Sequence, residues 1–117
     1  MAGKQEKLEF IRGTTPTIIV DIDDDIDLSI IKQVWMYIWQ SKKLVVDKIL
    51  SDVTIDPINK IITLRLSQDD TLACKEGEAI MQIRLLLDDD AGSDDSALAN
   101  VGWPVKIYEI YKGGVIE

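Results

Sequence analysis

The stretch Val34-Trp35-Met36-Tyr37-Ile38-Trp39 consists of six consecutive apolar residues, and its branched and aromatic side chains favour a β-strand. Successive side chains of a strand point to opposite faces of the sheet, so the aliphatic residues share one face and the rings share the other. The aliphatic face suits a hydrophobic core. The other face is a ladder of rings too large to remain in water without a covering partner, and it supplies the interface candidates, Trp35, Tyr37 and Trp39.

The sequence leaves three alternatives for what covers these rings. Segments of the same chain can pack over them, or another protein chain can bind there, and these two alternatives weigh about equally. A sugar-stacking platform is the third, but rings in the middle of a strand with two apolar faces suit flat protein packing better. The ladder therefore indicates a binding or structural role.

The length and composition of the chain predict a single domain over residues 1–117. The 117 residues, 46% of them hydrophobic, suffice for a buried core, and no apolar run is long enough to cross a bilayer. Residues 1–6 are expected to form a flexible amino terminus. Because residues 1–7 are polar and lead into no apolar signal segment, we expect neither secretion nor membrane insertion.

The net charge of −8 is concentrated in two segments. Five aspartates lie in residues 21–27 and five more in residues 88–95, whereas lysine and arginine are scattered singly. A protein that binds the phosphate backbone of a nucleic acid needs a basic stripe or patch. We therefore expect no binding to DNA or RNA.

Short alternating or β-branched runs recur along the chain and are separated by turn signals about every ten residues. This spacing is typical of an all-β sandwich and not of alternating strands and helices. We predict about seven strands, drawn from eight runs of strand character: 7–12, 16–23, 31–40, 44–50, 53–55, 61–66, 78–88 and 104–111.

The segment 67–72 predicts a single helical turn between two strands. The hydroxyl of Ser67 can accept a hydrogen bond from the amide three residues further on, and Asp70 stands where a carboxylate completes a capping box. We therefore expect one short helix in an otherwise all-β chain.

The residue types argue against an enzyme. The sequence contains no histidine, which excludes the Ser-His-Asp and Cys-His arrangements of hydrolases. Its aspartates occur in runs of the kind that stay solvated in loops, and not as a pair in a cleft. Cys74 is the single cysteine, so no intramolecular disulfide can form, and we interpret it as a small buried hydrophobic residue.

The segment 21–27 places carboxylates at the first, third and fifth positions of a candidate calcium loop. It is not an EF-hand, because Ile26 stands where glycine is needed and Lys32 where the closing glutamate is needed. An alternative function is therefore a calcium- or glycan-binding module that uses the two acidic loops. The candidate metal ligands are Asp21, Asp23, Asp25, Asp88 and Asp90. Without a ligand, the same loops are solvated turns that keep the protein soluble.

Five pieces of the sequence, in this order, resemble small structural proteins encoded among the tail genes of phages and prophages of Gram-positive gut bacteria. They are FIRGTTPT (10–17), SIIK (29–32), LSQDDT (66–71), QIR (82–84) and ALA (97–99). The chain is also similar to the amino-terminal β-sandwich domain of phage upper-baseplate proteins. The likeness covers most of the chain, and none of the five pieces is a catalytic signature.

This resemblance implies an immunoglobulin-like antiparallel β-sandwich that serves as a non-enzymatic structural component of a phage or prophage tail or baseplate. The implied partners are further copies of the chain and other phage tail proteins, without a cofactor. The implied location is the virion, after a stage in the bacterial cytoplasm. Baseplate proteins continue into parts that carry receptor-binding proteins, whereas this sequence stops at Glu117. We therefore expect either a stand-alone structural subunit or a likeness of fold alone.

Overall fold

A computed structural model of the protein describes residues 3–4, 8–88, 96–100 and 102–117. In these residues the chain forms ten strands, one α-helix and two single-turn 3-10 helices, at Leu28–Ile30 and Leu50–Asp52. The strands are β1 (Gly3–Lys4), β2 (Leu8–Ile11), β3 (Thr17–Ile22), β4 (Ile31–Gln40), β5 (Lys43–Ile49), β6 (Val53–Asp56), β7 (Ile61–Arg65), β8 (Gly77–Leu87), β9 (Ser96–Ala99) and β10 (Trp103–Tyr108), and the helix is α1 (Gln68–Ala73).

The strands form two sheets that pack face to face. One sheet has four strands in the order β1-β3-β7-β6, and the other has six, in the order β2-β10-β8-β4-β5 with β9 paired to β8. With β3, β7 and β6 as strands B, E and D, and β10, β8, β4 and β5 as strands G, F, C and C′, this is the strand order of an immunoglobulin-like sandwich. The predicted fold class is therefore confirmed.

The prediction that all strands pair antiparallel is wrong for one pair. Strands β2 and β10 run parallel, with Leu8 opposite Val105 and Ile11 opposite Tyr108. Hairpin signals in a sequence report only pairs that are neighbours along the chain. Because β2 and β10 lie at opposite ends of the sequence, no such signal could reveal their direction, and the six-stranded sheet is mixed.

Two further strands lack a sequence signal. The sequence predicts a flexible segment over residues 1–6, but Gly3 and Lys4 pair with Ile22 and Asp21 as strand β1. Strand β9 follows the second acidic segment and pairs with the last four residues of β8. At two and four residues, neither strand is long enough to show an alternation of apolar and polar residues.

The hydrophobic core lies between the two sheets and is built from the inward-facing positions of the strands. In β3, for example, exposed and buried residues alternate without exception. Each fully buried aliphatic side chain stabilises the fold by about 1.5–3 kcal/mol. The largest fully buried side chains include Ile18, Met36, Ile38, Ile62, Leu66, Met81, Ile83, Leu85 and Ile107.

The predicted hairpin between β4 and β5 is present and has a two-residue turn. Ser41 and Lys42 have φ angles of 52° and 64°, so both occupy the left-handed region. Two positive φ angles define the type I′ turn, whose twist matches that of paired strands. Gln40, which precedes the turn, is buried, and its side chain exchanges two hydrogen bonds of 2.8 Å with the backbone of Lys75. The end of β4 is therefore fixed to the segment that leads into β8.

The predicted helix is also present, as α1. Ser67 Oγ accepts a hydrogen bond of 3.1 Å from the Asp70 amide, and Asp70 Oδ2 accepts one of 2.8 Å from the Ser67 amide, which completes the capping box. Cys74 follows the helix and is fully buried, as interpreted from the sequence, and burial raises the pKa of its thiol to about 11.

In the described parts of the chain, no helix is long and apolar enough to span a membrane.

A bulge joins β9 to β10 along the same edge of β8. Asn100 replaces the missing strand contacts: its Oδ1 accepts a hydrogen bond of 2.8 Å from the Ile83 amide, and its own amide donates to the Ile83 carbonyl at 3.3 Å. Gly102 completes the bulge with a φ angle of +105°. This arrangement holds β9 and β10 together as an interrupted strand G.

Candidate interaction surface

Strand β4 occupies a central position in the six-stranded sheet, between β5 and β8, and its two sides differ as the sequence predicts. The aliphatic side chains at positions 34, 36 and 38 are at most 1% exposed and belong to the core. On the outer side, Trp35 and Trp39 are 45% and 46% exposed, and Tyr37 is half-buried. Within the described residues, therefore, segments of the same chain leave nearly half of each tryptophan residue exposed.

The neighbours of these rings on β5 and β8 extend the exposed surface. We name this surface the aromatic face. It consists of Trp35, Tyr37 and Trp39 on β4, Leu44, Asp47 and Ile49 on β5, and Ile80, Gln82 and Arg84 on β8.

The aromatic face has two apolar rows that cross the three strands. In one row, Trp39 lies between Leu44 and Ile80, both 49% exposed. In the other row, Trp35 lies beside Ile49, which is 44% exposed. Cross-strand neighbours of this kind have Cβ atoms about 5 Å apart, so each row is a continuous apolar strip.

A polar row separates the two apolar rows. It consists of Asp47, Tyr37 and Gln82, which are direct cross-strand neighbours. The Tyr37 hydroxyl donates a hydrogen bond to Gln82 Oε1, and Gln82 Nε2 donates one of 2.8 Å to the Asn100 carbonyl. These bonds satisfy the polar end of Tyr37 and fix the direction of its ring.

Arg84 completes the row of Trp35 and gives it a positive charge. Its guanidinium carbon lies 4.9 Å from the centre of the Trp35 ring, which is the geometry of a cation–π contact. On one side of this pair, the two apolar rows line a shallow groove, and on the other side Gln33, Leu86 and Ala97 line a second depression. The Trp35–Arg84 pair is therefore a ridge between two concave surfaces.

The exposed apolar surface continues beyond β8 on the same side of the sheet. Pro104 lies opposite Ile80, and further along this sheet Tyr108 and Ile11, which are 40% and 48% exposed, are direct neighbours across β10 and β2. Lys106 Nζ lies 5.2 Å from the centre of the Tyr108 ring. A row of exposed charged residues, Glu78, Lys106 and Glu9, separates Tyr108 and Ile11 from Ile80 and Pro104. The apolar surface that is continuous with the aromatic face therefore ends at Pro104.

The outer surface of the four-stranded sheet is different in character. Ile19 is exposed there, but its direct neighbour on β7 is Thr63, and the neighbour of Thr63 on β6 is Thr54. Thr17 lies opposite Arg65 on the same side. Single exposed apolar residues in a polar surround are normal for a soluble protein and indicate no interface.

The candidate metal ligands lie at one end of the sandwich. Asp21 is the last outward-facing residue of β3 and pairs with Ile61 on β7. Asp23 begins the turn after β3, and the chain enters the core again at Ile26. Asp25 is exposed within this turn. Asp88 is also exposed, and its amide donates a hydrogen bond of 2.8 Å to the Ile30 carbonyl. Asp88 and the first acidic segment therefore lie at the same end.

The described residues at this end of the sandwich do not form a metal site. In the described ranges, no three carboxylate or cysteine side chains converge on one point, and Asp90 lies outside those ranges. Lys60 Nζ instead donates a hydrogen bond of 2.7 Å to the Ile26 carbonyl, so a cationic side chain already occupies the loop. The hydrogen bonds from the Ser29 hydroxyl and amide hold the pKa of Asp27 below its ordinary value. The calcium site stays a prediction.

Sequence reasoning identified the rings on β4 but missed their partners on the neighbouring strands. Leu44, Ile49 and Ile80 contribute as much to the aromatic face as the rings do, and Asp47 and Arg84 supply its charges. The alternation in 78–88 does place positions 80, 82 and 84 on one side of a strand. What the sequence lacks is the register that sets them beside β4.

None of the protein-family models matches the sequence, and the comparison with curated proteins finds no match either. Among solved structures, the chain is similar to AggA, the major subunit of aggregative adherence fimbriae type I from Escherichia coli. The two share 12% sequence identity over 93% of each chain, with a TM-score of 0.40. At this level the likeness carries no argument, and the fold assignment depends on the strand order described above.

Proposed function

We propose that this protein is a non-enzymatic structural subunit of a phage or prophage tail or baseplate and that it assembles through its aromatic face. Its partners are further copies of the chain and other tail proteins. It is made in the bacterial cytoplasm and resides in the virion. The observation that carries the assembly role is the exposure of Trp35 and Trp39 in the middle of a well-ordered sheet.

The area of the exposed apolar surface supports an interface. Five large apolar side chains of the aromatic face are each 44% to 49% exposed: Trp35, Trp39, Leu44, Ile49 and Ile80. Together they expose roughly 500 Å², given typical full side-chain areas. The largest apolar patch on a monomeric protein is about 300–600 Å² and is often functional, and a standard interface buries about 800 Å² on each partner, a little over half of it apolar. The surface therefore matches the apolar part of what one partner contributes to a stable complex.

The chemistry of the surface supports a protein partner over a small substrate. The groove between the apolar rows is shallow and open, and its polar groups are an exposed carboxylate and a guanidinium that lies on a ring. Protein interfaces are rich in tryptophan, tyrosine and arginine at their centres. The sequence contains no histidine to act as a general base. These features favour binding over catalysis.

The assignment to phage tails depends on the resemblance of the five sequence pieces given above. One of them, LSQDDT, forms the capping box of α1, and another, QIR, supplies Gln82 and Arg84 to the aromatic face. The pieces of the resemblance thus include residues that stabilise the fold and residues that line the surface. A structural subunit that works by docking needs both.

The assembly role is tested by the solution mass of the protein. Light scattering coupled to size exclusion is run on the wild type and on the Trp35→Ala, Trp39→Ala double variant. We expect an oligomer that the double variant dissociates. The matched control is Ile19→Ala, which removes a similarly exposed side chain from the polar outer surface of the other sheet and should leave the mass unchanged. An oligomer that survives in a folded double variant would refute the assembly role of the aromatic face.

The tail assignment needs a separate experiment. Prophages are induced in the strain that carries the gene, particles are purified on a density gradient, and their proteins are identified by mass spectrometry. We expect the chain in the same fractions as known tail proteins. Its presence only in the soluble fraction, while the tail proteins are found in the particles, would contradict the assignment.

A further inference from the structure

The aromatic face carries two opposite charges, one on each side of β4. Asp47 lies on β5 beside Tyr37, and Arg84 lies on β8 beside Trp35, and both side chains are exposed. Within the described parts of the chain, Asp47 takes part in no ion pair or side-chain hydrogen bond, and Arg84 contacts the Trp35 ring and no carboxylate. The surface thus offers one unpaired acid and one unpaired base at fixed positions.

We propose that the occupant of the aromatic face is a second copy of this chain, related to the first by a two-fold axis that runs parallel to β4. This inference rests on the proposed assembly role and adds the identity and orientation of the partner. In such a dimer each Asp47 lies within reach of the Arg84 side chain of the other copy, so the pairing of the two charges occurs twice by symmetry.

The direction of the axis follows from the positions of the charges. When two sheets face each other, a two-fold axis along β4 exchanges the flanking strands, so β5 of one copy lies over β8 of the other. Leu44 then faces Ile80 of the second copy, and Asp47 faces Gln82, in the row next to Arg84. An axis across the strands would instead place β5 over β5 and Asp47 near its own symmetry mate. Facing like charges are unfavourable, so the first arrangement is favoured.

The reach of the side chains is consistent with this arrangement. Facing sheets pack about 10 Å apart, and adjacent rows on one side of a strand are about 7 Å apart. Asp47 and Arg84 belong to adjacent rows, since Asp47 pairs with Tyr37 and Arg84 with Trp35. A guanidinium on its long stem can close this gap.

The apolar surface also fits a second copy in area and in charge. The aromatic face exposes roughly 500 Å² of apolar area per copy, which matches the apolar part, a little over half, of the 800 Å² that each partner contributes to a standard interface. The chain has a net charge of −8, but on the aromatic face one acid is balanced by one base. The loops around residues 23–27 of the two copies come to the same end of the dimer. These loops follow β3 of the four-stranded sheet, which is the outer layer of each copy, so stacked sheets about 10 Å apart separate them by roughly 30 Å. This exceeds the Debye length of about 10 Å at 0.1 M salt, which therefore screens their repulsion.

A charge exchange between two variants tests the orientation directly. Asp47→Lys and Arg84→Glu are purified separately and studied by sedimentation equilibrium, alone and as an equimolar mixture. Alone, each variant faces like charges across the interface, and we expect self-association at least tenfold weaker than in the wild type.

In the mixture, the introduced lysine of one variant meets the introduced glutamate of the other, and the unchanged Arg84 of the first meets the unchanged Asp47 of the second. Association should therefore return to the wild-type level. Asp24→Lys, an exposed loop substitution with the same change of net charge as Asp47→Lys, is the control and should associate normally.

Three results would overturn the inference, and they separate it from the proposed function. If the wild type is a monomer at every accessible concentration, the second copy is excluded, while the particle experiment still decides whether the chain is a tail subunit. If the wild type associates through Trp35 and Trp39 but the mixture does not recover, assembly stands and the axis is wrong. If Asp24→Lys weakens association as much as Asp47→Lys, net charge and not a specific pair controls it.

Thiol cross-linking provides a second measurement in case a charge-reversed variant does not fold. A maleimide linker that spans the roughly 10 Å between facing sheets is added to Asp47→Cys alone and to its mixture with Gln82→Cys. Cys74 is fully buried and does not compete. The axis along β4 predicts cross-linked dimers in the mixture and few with Asp47→Cys alone. Efficient cross-linking of Asp47→Cys alone would instead support the axis across the strands.

Discussion

Replacing Arg12 by methionine tests how the carboxyl ends of the neighbouring strands β2 and β10 are joined to α1. Arg12 Nε donates a hydrogen bond of 2.7 Å to the Cys74 carbonyl, and Nη2 donates one of 3.0 Å to the Leu72 carbonyl. The last carbonyls of a helix lack partners inside the helix, so Arg12 caps the carboxyl end of α1. Nη1 also pairs with Glu109 Oε1 at 2.6 Å.

The expected loss of stability follows from these contacts. A hydrogen bond from a charged donor contributes about 1.5–3 kcal/mol when it is well shielded. The Arg12 side chain is 24% exposed, so solvent screening reduces each of the two carbonyl bonds to roughly 1 kcal/mol or slightly more. Methionine keeps the packing of the stem. We therefore expect Arg12→Met to lower the free energy of unfolding by about 2–3 kcal/mol, equivalent to about 10 °C in Tm for a domain of this size.

The assay is a pair of thermal and urea unfolding curves followed by circular dichroism. Glu109→Gln is the matched variant, because it removes the exposed ion pair and leaves both carbonyl bonds of Arg12 in place. Its Tm should lie much closer to that of the wild type. Equal shifts for the two variants would show that the ion pair, and not the helix cap, carries the effect, and the reasoning would be refuted.

Three further substitutions test local features of the fold. Ser67→Ala removes the N-cap of α1 and should cost about 0.5–2 kcal/mol in urea unfolding. Burial alone would raise the pKa of Asp70, but its hydrogen bonds to the Ser67 amide and to Lys48 lower it overall. The stabilisation by ionised Asp70 is therefore present above the ordinary carboxyl pKa of about 4 and is lost as the pH falls further, so Tm should drop less on acidification in Asp70→Asn. Gly102→Ala places a Cβ 2.7 Å from Ile80 at a φ of +105° and should destabilise by about 1–3 kcal/mol, measured in the same way.

The sequence predicts those parts of the fold that depend on local patterns. The bounds predicted for β4, residues 31–40, agree with the structure, and the capping box of α1 is found where Ser67 and Asp70 indicate. Both features are decided within about ten residues, by side-chain alternation in one case and by a helix cap in the other.

The pairings that connect distant parts of the chain could not be predicted in this way. The parallel contact of β2 with β10 joins residues almost 100 positions apart, and the bulge at Asn100 gives β9 and β10 different registers against β8. Such registers are set by the packing of the whole sandwich. The same holds for the candidate site. The pattern of its own strand predicts the exposure of Trp35, but its contact with Arg84 depends on the register of β4 against β8, which no local pattern predicts.

The placement of charge in this chain separates solubility from assembly. The exposed aspartates of residues 23–27, together with Asp88, lie at one end of the sandwich, whereas Trp35 and Trp39 lie in the middle of a sheet. A charge that becomes buried without a partner costs far more than an apolar contact of similar size contributes. If the aspartates of 23–27 were on the aromatic face, any partner would have to desolvate them. Because they are at the end of the strands instead, the net charge favours solubility while the tryptophan rows remain available for a close contact.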